Sequence, residues 1–216
     1  MFKHIIFDCD GVLIDSEIVA AEVMARWMRE QGMDISTEQF IQTHTGKTYS
    51  GIIRECMADG LLPAEFNIQA STNAIETEVK TSIRPVTGVA EGLANITQPK
   101  SVVSNSGVVY IQKALNDFNI IHHFDRRLYS SEMVAAPKPS PLVYELAVAK
   151  IELPKADILV IEDSLTGVQA AKAAGLNVWG FLGGSHILPG HGDKMLQSGV
   201  LELVKGYEDL NEKLIR

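Results

Sequence analysis

Ile5-Ile6-Phe7-Asp8-Cys9-Asp10-Gly11-Val12 opens the chain with an apolar, β-branched run that ends in two acids one residue apart. Such a run predicts a strand whose tip presents carboxylates to a ligand. Period-2 alternation sends Asp8 and Asp10 the same way while the chain stays extended, and Gly11 then lets it turn away. Two like charges this close cost electrostatic energy unless a cation or a strong set of donors offsets them. The next question is what else converges on that tip.

Further apolar, strand-like runs occur at 101–105, 157–161 and 176–182, with a weaker one in Arg127-Leu128-Tyr129-Ser130. Helical segments at 89–96, 107–118, 140–150 and 164–174 separate them, the last with Ser164 placed to cap its start and Gly175 to end it. Near-continuously apolar strands alternating with helices predict a parallel sheet covered on both faces. The fold class is therefore α/β, a doubly wound parallel sheet, in which ligands bind outside the carboxyl ends of the strands.

From Ser16 to Ile83 the rhythm changes and every segment reads as helical. Ala20, Val23, Met24, Trp27 and Met28 make one apolar stripe after a capping Ser16, and Ser36, Thr48 and Pro63 mark further helix starts. We read residues 16–83 as a helical module inserted into an α/β core of residues 1–15 and 84–216. An insertion at the ligand end of a sheet is well sited to be a lid.

The 216 residues are 46% hydrophobic, ample for a core, and the net charge of −8 comes with dispersed acids. Nucleic acid and anionic membrane are poor partners for such a surface. The apolar runs are short and no signal-peptide pattern opens the chain, so a cytoplasmic protein, monomeric or weakly dimeric, is expected. Two cysteines, Cys9 and Cys56, are too few for a disulfide framework. Cys9 reads as a small buried filler whose thiol is raised by the acids on either side.

The strand ends, taken in order, carry the chemistry. The first carries Asp8 and Asp10; the second runs into Ser104-Asn105-Ser106-Gly107, whose hydroxyls, amide and helix-start N–H groups suit a phosphate. Lys138-Pro139-Ser140-Pro141 holds an ammonium at the mouth of a helix, and Glu162-Asp163-Ser164 follows a wholly apolar strand. Each element has an ordinary alternative: an N-cap, a surface lysine, or compensation of a helix dipole. Together they bring acids, an ammonium and a hydroxyl to one sheet edge. All-oxygen ligation without a nearby His or Cys suggests Mg²⁺, and such a cluster beside a lysine and a serine suits a phosphoryl group.

These four segments, in this order, resemble the four motifs of the haloacid dehalogenase superfamily, and a helical cap after the first motif resembles its beta-phosphoglucomutase-like and sugar-phosphatase branch. The resemblance implies Asp8 as nucleophile, forming an aspartyl-phosphate, and Asp10 as general acid and then base. It implies Mg²⁺ held by the Asp8 carboxylate, the Asp10 backbone carbonyl and Asp163, with Glu162 auxiliary. Ser104 and the Asn105 N–H would grip phosphoryl oxygens, and Lys138 would neutralise the nucleophile–phosphate pair. Asp10 argues against the dehalogenase branch, whose leaving group needs no acid. Lys47 does not sit in a loop like that of the phosphonate-cleaving branch, and reads as a solvated lysine.

The mutase relatives use a cap histidine and a cap lysine where this chain has Ala20 and Thr45, which favours hydrolysis. Gly46 and Lys47, with Thr48, Tyr49, Arg54 and His44 nearby, would face the far end of a substrate, a small phosphorylated sugar or sugar acid such as 6-phosphogluconate. Gly183-Gly184-Ser185-His186 is placed to line the pocket edge, and His191 reads as part of a loop. The expected activity is Mg²⁺-dependent hydrolysis of a phosphomonoester. The alternatives are a sugar phosphomutase and a catalytically retired binder of phosphometabolites.

Overall fold

In a computed structural model, which describes residues 1–215, the chain divides into two compact units, Met1–Asp15 with Pro85 onward, and Ser16–Arg84. The first unit is built on six parallel strands: β1 (His4–Phe7), β2 (Lys100–Ser104), β3 (Leu128–Ser130), β4 (Ile158–Glu162), β5 (Asn177–Phe181) and β6 (Glu202–Val204). Their order is β3-β2-β1-β4-β5-β6, so the chain starts in the middle of the sheet, winds outward one way and then the other. Phe7 is in register with Val102 on one side and Ile161 on the other. The tips of β1, β2 and β4 therefore lie side by side where the winding reverses, the usual ligand crevice of such sheets.

Every residue of β1, β2 and β4 is buried, as expected of strands covered on both faces. Helices α5 (Val89–Asn95), α6 (Val108–Asp117), α7 (Leu142–Ile151), α8 (Leu165–Ala173), α9 (His191–Gln197) and α10 (Tyr207–Ile215) belong to this unit. One core layer joins Ile6, Val103 and Val160 of the strands to Val143, Tyr144 and Ala147 of α7 and Val168 and Ala171 of α8. On β5, Trp179 meets Phe2 edge-on at 6.0 Å between ring centroids.

The second unit holds α1 (Ser16–Glu30), α2 (Thr37–His44), α3 (Tyr49–Ala58) and α4 (Ile68–Ser82). Val19, Met24 and Met28 of α1 pack with Phe40, Ile52, Ile53 and Ile75 in a core of their own. Trp27 meets Phe66 edge-on, again at 6.0 Å. Ser36 and Thr48 cap α2 and α3 as read, Ser36 within a reciprocal capping box with Gln39.

Three readings need correction. Pro63 does not start a helix: it opens a turn in which the Phe66 N–H donates to the Pro63 carbonyl, and α4 starts five residues later, capped by Asn67. Arg84, placed with the core above, falls in the helical unit, where its guanidinium holds both Glu22 carboxylate oxygens at 3.0 Å. The strand β6 has no counterpart among the apolar runs of the sequence, being a three-residue edge strand with only Val204 buried. No helix among the described residues is long and apolar enough to cross a membrane.

Candidate active site

Extension stops at Phe7, sooner than the alternation of acids suggests. The N–H groups of Leu13 and Ile14 both donate to the Cys9 carbonyl, and Gly11 takes φ +84, so the chain folds into a tight loop just past the strand. A side chain at Gly11 is excluded as well by position, since a Cβ there would lie 1.9 Å from Asp163 Oδ2. The loop sends the two acids to different partners. Asp8 is buried against Lys138, whose Nζ donates to Asp8 Oδ1 at 2.5 Å, Glu162 Oε1 at 2.7 Å and the Val103 carbonyl at 3.0 Å. Asp10 Oδ2 accepts from the Ser106 hydroxyl at 2.6 Å and the Ser104 hydroxyl at 3.3 Å.

Lys138 is itself held in place. Asn105 clasps its backbone, the amide donating to the Lys138 carbonyl at 3.2 Å and accepting from the Lys138 N–H at 2.8 Å. The ammonium also sits 4.9 Å from the centre of the Tyr144 ring. Burial alone would lower the lysine's pKa, but Asp8 and Glu162 outweigh it and hold the ammonium well above its ordinary value. Lys138 is therefore a fixed positive charge.

Glu162 is fully buried and its oxygens are committed: Oε1 to Lys138 and to the Tyr144 hydroxyl at 3.2 Å, Oε2 to the N–H and hydroxyl of Ser164, each at 3.0 Å. Gly167, in the first turn of α8, leaves the room it fills, for a Cβ there would lie 1.6 Å from Glu162 Oε1. Asp163, next along, is buried and accepts from His186 Nε2 at Oδ2 over 3.0 Å.

Carboxylate oxygens of Asp8, Glu162 and Asp163 lie within 4.8 Å of one another. Three acids thus face one ammonium, a surplus of negative charge that a divalent cation would balance. The donors are all oxygen, which suits a hard cation such as Mg²⁺ over zinc. Burial first, then Glu162, Asp163 and Asp10, push the Asp8 carboxyl well above its ordinary range against the pull of Lys138. Cys9 is buried, and its thiol is pushed up mainly by that burial, with Asp10 and Asp8 adding to it.

The residues read from three strand ends and from the mouth of a helix thus meet in one place. Ser106, expected with its segment to suit a phosphate, donates to Asp10 instead. The sequence assigns no role to Tyr144 or to the histidine contacts, and nothing local marks Tyr144. His191 is not mere loop: it opens α9, and its Nε2 lies 2.6 Å from the Asp163 carbonyl. Gly46 and Lys47 lie between α2 and α3 in the helical unit, Gly46 with φ +84 and Lys47 half-exposed in an ion pair of 2.7 Å with Glu55.

A family model described as haloacid dehalogenase-like hydrolase matches residues 5–181. The 6-phosphogluconate phosphatase of Escherichia coli is 26% identical over 189 residues, 87% of this chain and 86% of that protein. A phosphorylated carbohydrates phosphatase of Thermotoga maritima is 25% identical, with 97% of each chain covered. Among solved structures, a haloacid dehalogenase-like protein of unknown function from Agrobacterium tumefaciens superposes with a TM-score of 0.87 at 30% identity, covering 100% of this chain and 98% of that one. With acids at adjacent parallel strand tips, a lysine between them and a family match over most of its length, the chain belongs to the haloacid dehalogenase-like hydrolases.

Proposed function

We propose that this chain, a phosphoric monoester hydrolase, is a Mg²⁺-dependent phosphatase of a small phosphorylated sugar or sugar acid, with 6-phosphogluconate the first candidate. The observation that carries the reading is Lys138 Nζ bridging Asp8 and Glu162 beside Asp163. An anionic nucleophile can approach an anionic phosphate only where such charges are balanced. Asp8, Asp163 and the Asp10 backbone carbonyl would hold the metal, with Glu162 in an auxiliary role behind them through its hold on Lys138. When bound, Mg²⁺ would draw charge from the phosphoryl oxygens and keep the Asp8 carboxylate ionised.

The residues then divide the work. Asp8 attacks phosphorus while Lys138 keeps its charge paired. The bond between phosphorus and the substrate oxygen breaks, and Asp10 gives that oxygen a proton. Asp10 next takes a proton from water, whose oxygen attacks the aspartyl-phosphate, releasing phosphate and restoring Asp8. Ser104 would exchange its long bond to Asp10 for a phosphoryl oxygen, joined by the Asn105 N–H. On the helical unit, Gly46 and Lys47 are the candidate substrate-recognition residues, an ammonium being suited to the carboxylate of a sugar acid.

Phosphate release from a panel of sugar, sugar-acid, nucleotide and amino-acid phosphates, with Mg²⁺ and with chelator, tests the proposal. Metal-dependent release concentrated on sugar or sugar-acid phosphates supports it. Isomerised sugar phosphate without net release would make the chain a mutase. Silence with phosphate analogues still binding would make it a regulator.

A further inference from the structure

Two histidines grip Asp163 from the segment after β5. His186 Nε2 lies 3.0 Å from Asp163 Oδ2, and His191 Nε2 lies 2.6 Å from the Asp163 carbonyl. Both partners on Asp163 are acceptors, so each imidazole carries its hydrogen on Nε2. The segment is itself pinned. Asp15, a buried acid, accepts from the Ser185 N–H at 2.9 Å and from the Ser185 hydroxyl, and Leu182 donates to the Val204 carbonyl at 2.7 Å. On the other side, Gly11 packs so closely that a Cβ there would meet both Asp163 and the His186 ring, the latter at 2.9 Å. The Asp163–His186 pair is thus buried in a shaped slot rather than met by chance at a surface.

We infer that His186 and His191 are positioning residues for the Asp163 carboxylate, and that His186 makes it a single-oxygen ligand that selects Mg²⁺ over Ca²⁺. An oxygen already held by an imidazole N–H is a poor second ligand atom, and outer partners of this kind orient the groups that bind a metal. Mg²⁺ requires compact octahedral coordination, whereas Ca²⁺ takes more oxygens and favours carboxylates that bind through both. Holding Oδ2 away therefore penalises Ca²⁺ more than Mg²⁺. The two histidines have separable duties: His186 orients the carboxylate, while His191 fixes the backbone that bears it.

The inference rests on the proposed metal site and is tested by calorimetric titration of the metal-stripped full chain with Mg²⁺ and, separately, with Ca²⁺. His186→Leu is expected to weaken Mg²⁺ binding by about 10- to 100-fold, the range for lost outer-shell partners, and to narrow the preference over Ca²⁺. His186→Gln, which retains an N–H donor, is expected to restore most of both. His191→Leu is expected to weaken Mg²⁺ with the preference kept. Should the Leu variant fail to fold, His186→Asn, polar but too short to reach Oδ2, is read by the same criterion. Wild-type affinities in the His186→Leu or His186→Asn variant overturn the inference while leaving the metal site standing. Equal weakening of both metals without rescue by Gln overturns it as a merely structural effect. Absence of any Mg²⁺ binding to the wild-type chain overturns the metal site, and the inference with it.

Discussion

At the scale of single residues, the buried Lys138–Asp8 pair sets the charge that the chemistry needs. Asp8→Asn keeps size and removes the nucleophile, so phosphate release should vanish while circular dichroism and the melting transition remain those of a folded protein. Lys138→Met removes the one ammonium from the acid cluster, and turnover should fall by about 10²- to 10³-fold, the range for losing one preorganised electrostatic group. Equal turnover in that variant would deny Lys138 its role. His4 lies far from this chemistry, at the start of β1, with Nε2 3.0 Å from the Ser101 hydroxyl. Burial first, then Arg127 and Lys100, push its imidazole down to about 4. The folded chain therefore keeps His4 neutral where the unfolded chain protonates it. That contribution is complete above the unfolded value of 6.5 and is lost as pH falls toward 4. Its size is at most about 3 kcal/mol, from the free energy of one pKa unit. Denaturant melts across this window should show stability falling on acidification, and His4→Gln should flatten the slope.

At the scale of elements, the site depends on how α8 begins. Ser164 caps the helix by accepting from the Gly167 N–H at 3.0 Å while donating to Glu162, so the cap and the acid cluster share one residue. Gly167→Ala would drive a methyl group into Glu162. We expect a loss of about 1–3 kcal/mol, as for overpacked interiors, together with reduced turnover, because Glu162 anchors Lys138; unchanged melting and activity would show that the helix start can shift freely. The legibility of the sequence follows the same lines. Strands β1, β2 and β4 were readable because burial on both faces writes an unbroken apolar run, and their tips were readable because acids and small polar residues interrupt it. The four residues of β1 are enough, since the acids follow at once. Contacts across the fold left no such mark. His186 and Asp163 are 23 residues apart, Tyr144 and Glu162 18, and only the packing of α7 and the segment after β5 brings them together. Pro63 misled because a proline that opens a turn and one that opens a helix share the same fixed φ. At the edge of the sheet, β6 had too little burial to write a pattern.

At the scale of the whole molecule, the helical unit enters and leaves the α/β unit at neighbouring points. Ile14 and Pro85 form an antiparallel bridge, and the Val86 N–H donates to the Leu13 carbonyl at 3.1 Å. The chain ends left by removing residues 16–84 therefore already lie side by side, and each unit has its own core. Replacing that span with a short glycine linker should leave an α/β unit that folds, seen as a cooperative melt with retained parallel-sheet dichroism; a molten product would show that the units need each other. The two tryptophans bear on that dependence in the intact chain. Trp27 sits edge-on to Phe66 among the helices, and Trp179 edge-on to Phe2 beside the sheet. The chain thus carries one indole fluorophore in each unit. Trp27→Phe and Trp179→Phe yield two single-indole proteins whose emission reports the unfolding of one unit apiece. Coincident midpoints would mark a single thermodynamic body, and the gap between separated ones would measure how far either half can open while the other stays shut.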